Sequence, residues 1–235
     1  MTDNAILASS TDRSTAPALG RSTGLAETIA QQTLATRQAQ YVEEVRRLID
    51  AGRTVMKSCG TTSSPRVADI VAAAGLSNDA FYRHFASKEA LVAAIIEDGA
   101  ARLASYLHHQ IAKASTPEAQ VRRWVEGVMA QAADDDIAAT TLAVLWNGGR
   151  IGERLGASRP SHTTVLATLL REPFAQLGSS DPDRDAALAA HATVGTLSDF
   201  LWCRSRPTPA DVDHVVGFCL AAVGAHRPAP TGSEP

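Results

Sequence analysis

Four consecutive residues, Ser77, Asn78, Asp79 and Ala80, carry side chains suited to the edges of DNA bases. An Asn amide pairs with adenine N6 and N7, an Asp carboxylate accepts from cytosine N4, and a methyl packs on the thymine methyl. At the start of a helix they would be the residues nearest the bases. The same Asn-Asp pair also suits a solvated helix cap, and both readings stand. Elsewhere the chemistry is thin. There is no HExxH run, no GxxxxGK[ST] run and no Cys/His cluster, so nothing points to a catalytic group, a metal or a cofactor. His108 and His109 are neighbours and would diverge on a helix. Asp134, Asp135 and Asp136 suit a helix start better than a metal, because consecutive helical residues point about 100° apart. Cys59, Cys203 and Cys219 are odd in number and lack metal-type spacing, which fits small buried hydrophobes in a reducing compartment.

The elements that must position Ser77 to Ala80 are legible. Ser64 is a suitable N-cap and Pro65 a suitable first helical residue. Val67, Ile70, Val71 and Ala74 then make one buried stripe. Gly75 can take the left-handed conformation that ends a helix, Leu76 anchors the turn, and Ser77 caps the next helix. Phe81 and Phe85 share one face of that helix, which turns Asn78, Asp79, Tyr82 and Arg83 toward solvent or a partner. Ser87 caps a third helix, with Glu89 in its first turn. Two short helices about a glycine turn form a helix-turn-helix.

The residues Asp69-Ile70, Ala74-Gly75-Leu76-Ser77, Phe81-Tyr82-Arg83-His84-Phe85 and Ser87-Lys88-Glu89-Ala90-Leu91, in this order and spacing, resemble the DNA-binding domain of the TetR family of bacterial transcriptional regulators. The resemblance spans roughly residues 40–95. It implies that Tyr82, His84 and Lys88 touch DNA phosphate or fix the reading helix, with His84 equally suited to packing near Phe85. Family members open their second helix with a phosphate-binding Thr; here that position is Arg66, a donor of different reach. The resemblance further implies a homodimer formed through the last two helices, a palindromic double-stranded operator, and a small-molecule effector.

The rest of the chain reads as helix. Helix 1 is expected over residues 38–58, on a stripe of Tyr41, Val45, Leu48, Gly52, Val55 and Met56, with residues 25–40 able to extend it backward. A long helix should run from Lys88 to about Lys113. Thr116-Pro117-Glu118 starts another, ending near Ala133, and Asp134 to Asp136 start a third, ending near Trp146. Asn147-Gly148-Gly149 is expected to break the chain, followed by a connection over residues 150–161. A helix kinked or shortened by Pro173 should cover residues 161–177, before two alanine- and glycine-rich helices at 183–204 and 209–225. The fold class is therefore all-α with about nine helices. Its divisions are an extension at 1–36, disordered or partly helical; a helix-turn-helix domain at 37–87; a helical regulatory and dimerisation domain at 88–226; and a disordered tail at 227–235. Leu107, Met129, Trp146, Leu166 and His191 are placed to line an effector pocket, each with plain core packing as the alternative. An apolar effector is expected.

Length and composition agree with this. The 235 residues suffice for one or two cored domains. No run is long and apolar enough to span a membrane, and the N-terminus lacks the order of a signal peptide, so a cytoplasmic location is expected. Net charge is −3. Residues 37–90, however, hold eight Lys/Arg against six Asp/Glu, whereas residues 91–235 hold twelve against sixteen. The helix-turn-helix is the positive part of the chain. Two other readings remain open: a helical partner-binding protein whose helix-turn-helix ignores DNA, and an activator with the same fold.

Overall fold

The computed structural model describes residues 22–155 and 162–224. Of the extension expected at 1–36, residues 1–21 lie outside these while 22–36 are helical; the tail at 227–235 and, of the connection expected at 150–161, residues 156–161 also lie outside. Every regular element among the described residues is helical: α1 Ser22–Cys59, α2 Val67–Ala74, α3 Asn78–His84, α4 Lys88–Ile111, α5 Pro117–Met129, α6 Asp135–Leu155, α7 His162–Ala167, α8 Arg171–Gln176, α9 Pro182–Cys203 and α10 Pro209–Gly224, with 3-10 turns at Ala130–Ala132 and Thr168–Leu170. Counting α7 and α8 as one bent helix gives nine. No helix among the described residues is long and apolar enough to cross a membrane.

Helix α1 begins in a first unit that ends at Glu43 and continues into a second that starts at Glu44. In the first unit its apolar side chains, Leu25, Ile29 and Leu34 among them, are exposed, and the helix starts sixteen residues before the expected position 38. Tyr41, assigned to the buried stripe by its spacing, is also exposed; Leu48 and Met56 of that stripe are fully buried.

The second unit holds two apolar cores. One gathers Leu48 and Met56 of α1, Ile70 and Val71 of α2, Phe81 and Phe85, and Leu91, Val92 and Ile95 from the start of α4. The other gathers Leu107 from the end of α4 with Val121, Trp124, Val125, Leu170, Phe174 and the inner faces of α9 and α10. Helix α4 is thus common to both. Helix starts follow the sequence. Thr116 accepts from Ala119 N at 3.2 Å, Asp181 from Arg184 N at 3.1 Å, and Asp134 Oδ1 from Asp136 N at 2.9 Å and Ile137 N at 3.0 Å.

Three boundaries differ from expectation, each for a physical reason. Helix α2 starts at Val67, not Pro65, with Arg66 as an extended N-cap (φ −102°, ψ 145°) that makes no side-chain cap bond. Pro65 and Ile70 are both buried and stand on either side of the cap, the positions of a hydrophobic staple. Helix α6 continues straight through Asn147-Gly148-Gly149 to Leu155. Asn147 is buried and donates to Ala143 O at 2.9 Å, and a Cβ on Gly148 would lie 2.8 Å from Ile96 Cδ1 of α4. Close packing of α6 on α4 outweighs the poor helix propensity of the glycines. Last, the helix expected at 161–177 bends at Thr168–Leu170, upstream of Pro173. A proline obstructs the carbonyl four residues before it, here Leu169, within that turn.

Candidate nucleic-acid interface

The turn between α2 and α3 is built from backbone bonds that glycine permits. Gly75 sits at φ 61°, ψ 39°, a left-handed conformation that costs a non-glycine residue roughly 1–2 kcal/mol. There Leu76 N donates to Val71 O at 2.9 Å and Gly75 N to Ala72 O at 3.2 Å, the paired bonds of a Schellman ending. The last carbonyls of α2 are met from α1: Arg47 Nη2 donates to Ala74 O, and to Gly75 O at 3.1 Å. Ser77 Oγ then accepts from Ala80 N at 3.1 Å and starts α3, and Ser87 Oγ accepts from Ala90 N at 3.1 Å and starts α4.

Helix α3 sorts its side chains by face. Ala80 and Phe81 are buried, and the Phe81 ring meets Phe85 at a centroid distance of 5.9 Å and Tyr82 edge-on at 5.2 Å. Burying a phenylalanine side chain contributes about 1.5–3 kcal/mol, so this pair fixes the rotation of α3. Ser77, Asn78, Asp79, Tyr82 and Arg83 are exposed. Arg66 is exposed at the start of α2, and Lys88 is half-buried at the start of α4. Polar and basic side chains thus surround the outer face of a seven-residue helix.

Two of the site residues expected from sequence face inward. Ala80 is 5% exposed, so its methyl packs in the core and is unavailable to a thymine. The His84 imidazole is fully buried, with Nε2 2.6 Å from Glu44 Oε2. Of its two expected roles, phosphate contact is corrected to the structural one: a helix end needs tying down, and His84 does it. Glu44 also receives Arg83 at 3.4 Å. The Glu44 carboxyl is held below its ordinary value, first by the His84 hydrogen bond and, against the opposing effect of burial, by the charges of Arg83 and Arg47. Glu44 and Arg47, one turn apart on α1, fall on the polar face of that helix by sequence, which gives no sign of their positioning role beyond charge at i, i+3 beside a buried stripe.

Beyond the helix-turn-helix, a cavity of about 520 Å³ lies among α4, α5, α6, α7 and α9, with Arg53 of α1 in its wall. Of the expected lining residues, Leu166 borders it. Leu107 and Met129 belong to the solid core. Trp146 is half-buried outside the lining. His191 is exposed on α9, its Nδ1 2.7 Å from Ala187 O. Spacing placed these residues on the right helices, but the face each presents depends on how the helices cross. The three aspartates diverge: Asp134 caps α6, Asp135 meets Arg206 at 2.7 Å, and Asp136 meets Lys57. One run, Gly20 to Gly24, has the GxSxG spacing of a nucleophile elbow. Ser22 opens the long helix α1, and the residues that would form the strand of an elbow lie outside the described residues.

Residues 48–95 match the family model for bacterial regulatory proteins of the tetR family. Among solved structures, the chain is similar in fold to a TetR-family transcriptional regulator from Mesorhizobium loti (TM-score 0.56, 16% identity, 79% of this chain and 96% of that one). It is also similar to a TetR-family transcriptional regulator from Pectobacterium atrosepticum (TM-score 0.53, 21% identity, 80% and 93%). A third similar fold is the fatty acid degradation regulator FadR from Bacillus halodurans (TM-score 0.53, 20% identity, 75% and 94%). No curated protein matches the chain in sequence.

Proposed function

We propose that the chain, whose residues 48–95 match the family model for bacterial regulatory proteins of the tetR family, is a DNA-binding transcriptional repressor that holds a palindromic operator as a homodimer and releases it when a small, largely apolar molecule fills the cavity. The observation that carries this reading is the sorting of α3. Its apolar side is locked by Phe81 and Phe85, and its outer side presents Asn78, Asp79, Tyr82 and Arg83 with Arg66 and Lys88 nearby. Short polar groups there read bases, and the cations hold phosphate.

One such head makes few contacts, so a symmetric pair on half-sites about one DNA turn (~34 Å) apart is the economical arrangement. The outer faces of α9 and α10 suit the pairing. On α9, Leu188, His191, Gly195, Asp199 and Trp202 form one exposed stripe; on α10, His214, Gly217, Phe218 and Ala221 form another. A Cβ on Gly195 or Gly217 would meet nothing, which leaves room for a partner helix. Large apolar residues exposed beside open glycines favour a helix-helix interface over solvent. For release, the ligand need only bind the two states of the dimer with different affinity. The test is selection of duplexes from a random pool by the purified protein, followed by light scattering of the complex. The reading requires a palindromic site bound by two chains.

A further inference from the structure

We propose that the molecule which fills the cavity carries one carboxylate on an apolar body, and that it acts by taking Arg53 and Arg102 away from Asp98. This rests on the cavity being the effector site and adds the chemistry of its occupant. The walls are mainly aliphatic, with Ile96 and Leu103 from α4, Val144 from α6, Leu166 from α7 and Leu197 from α9, and carry the neutral polar groups of Tyr106, Gln131, Thr140 and Thr141. At about 520 Å³ the cavity is within the range of small-ligand sites, roughly 300–1,000 Å³. Its charged lining is unequal. Arg53 and Arg102 both border it; the one acid in the lining, Asp136, is paired with Lys57.

The two arginines belong to a four-charge cluster. Arg53 binds Asp50 at 3.0 Å and also Asp98; Arg102 binds Asp98 at 2.9 Å and Asp50 at 3.6 Å. Neither Asp50 nor Asp98 is part of the cavity lining, so an anion inside the cavity meets the guanidiniums first. These contacts use Nη1 and Nη2 of Arg53 and Nε and Nη2 of Arg102. A guanidinium has five N–H donors, so each keeps donors for a further carboxylate, for which its planar fork is suited. The Arg53–Asp98 pair joins α1, which holds Glu44 and Arg47 against the reading head, to α4. A carboxylate that draws Arg53 toward the cavity weakens that joint, and cavity occupancy then reaches α1 directly as well as through α4.

Isothermal titration of the full-length protein with decanoate and with 1-decanol separates the head group from the apolar body. Decanoate should bind about tenfold or more tighter than the alcohol, the scale of a charge-assisted hydrogen bond. R102Q should cut that preference several-fold, with Arg53 left to hold the carboxylate, and decanol binding by the same variant reports whether the cavity is intact. D98N removes the competing carboxylate and should tighten decanoate several-fold without changing decanol; a merely structural ion pair gives no such split. Equal binding of acid and alcohol overturns the carboxylate and leaves the apolar effector standing. No binding of either overturns both.

Discussion

The buried imidazole of His84 lies 2.6 Å from the carboxylate of Glu44, and this contact fastens the end of the reading helix to α1. One turn along α1, Arg47 reaches the carbonyls that close α2. The turn of the helix-turn-helix and the far end of α3 are therefore both held by one helix. The orientation of α3 is set by α1 as much as by the turn.

The Glu44–His84 contact should show itself in acid. The carboxyl sits below its ordinary value of 4.5, chiefly through the His84 bond. A depressed carboxylate contributes stability that is complete above its unfolded value and is lost as pH falls through the lower folded value. Glu44→Gln should therefore be less stable than the parent above pH 4.5, with the gap closing below it. Urea titrations of both proteins across that range check this. A gap that is constant with pH means that the charge of Glu44 plays no part.

Gly75→Ala should cost about 1–2 kcal/mol from its left-handed φ alone. The added Cβ would also lie 2.9 Å from Arg47 Nη2, a flexible side chain that can yield, so little more is expected. Ser77→Ala removes the cap bond to Ala80 N and should cost about 1 kcal/mol. Chemical denaturation measures both. If Gly75→Ala is neutral, the turn has relaxed from the conformation described here.

Base and phosphate contacts should separate on a set of base-substituted operators. Asn78→Ala should relax the preference at one base pair. Lys88→Ala should weaken every duplex alike and lower the salt slope by about one. Ala80→Ser should alter stability rather than base preference, because Ala80 is buried. Gel shifts over a salt series give all three answers, and a uniform loss for Asn78→Ala would remove it from the bases.

In the second core, Trp124 donates its indole N–H to Leu166 O at 3.0 Å. Trp124→Phe leaves that buried carbonyl short of a donor and should cost about 1–3 kcal/mol. Leu166 borders the cavity, so ligand affinity should fall with stability. A variant that loses stability and keeps its affinity would place the strain elsewhere. On α10, Phe218→Glu puts a charge on the proposed pairing face, and sedimentation should show monomers with weakened operator binding.

The helix-turn-helix was legible because its signals are local. A glycine after an apolar stripe, serine caps three residues ahead of the N–H they receive, and two phenylalanines four apart each act within one turn of chain. What escaped is long-range. Helix α6 runs through Gly148 because Ile96, some fifty residues earlier, needs the space. The face on which His191 lies depends on how α9 crosses its neighbours, and period alone puts it on a helix without saying which side is out. Ala80 and His84 show the same limit: motif position identifies the helix and leaves both readings of His84 open, but packing decides which side chains the helix keeps.

The central claim is that the outer face of α3 lies in a duplex groove. The most direct measurement is fluorescence anisotropy of the purified protein on its selected duplex and on a random one at low ionic strength, repeated with Asn78→Ala. The account predicts tight binding to the selected site, weaker and salt-sensitive binding to the random one, and a loss for Asn78→Ala confined to the selected site. Failure to bind either duplex, even at low salt, would contradict it.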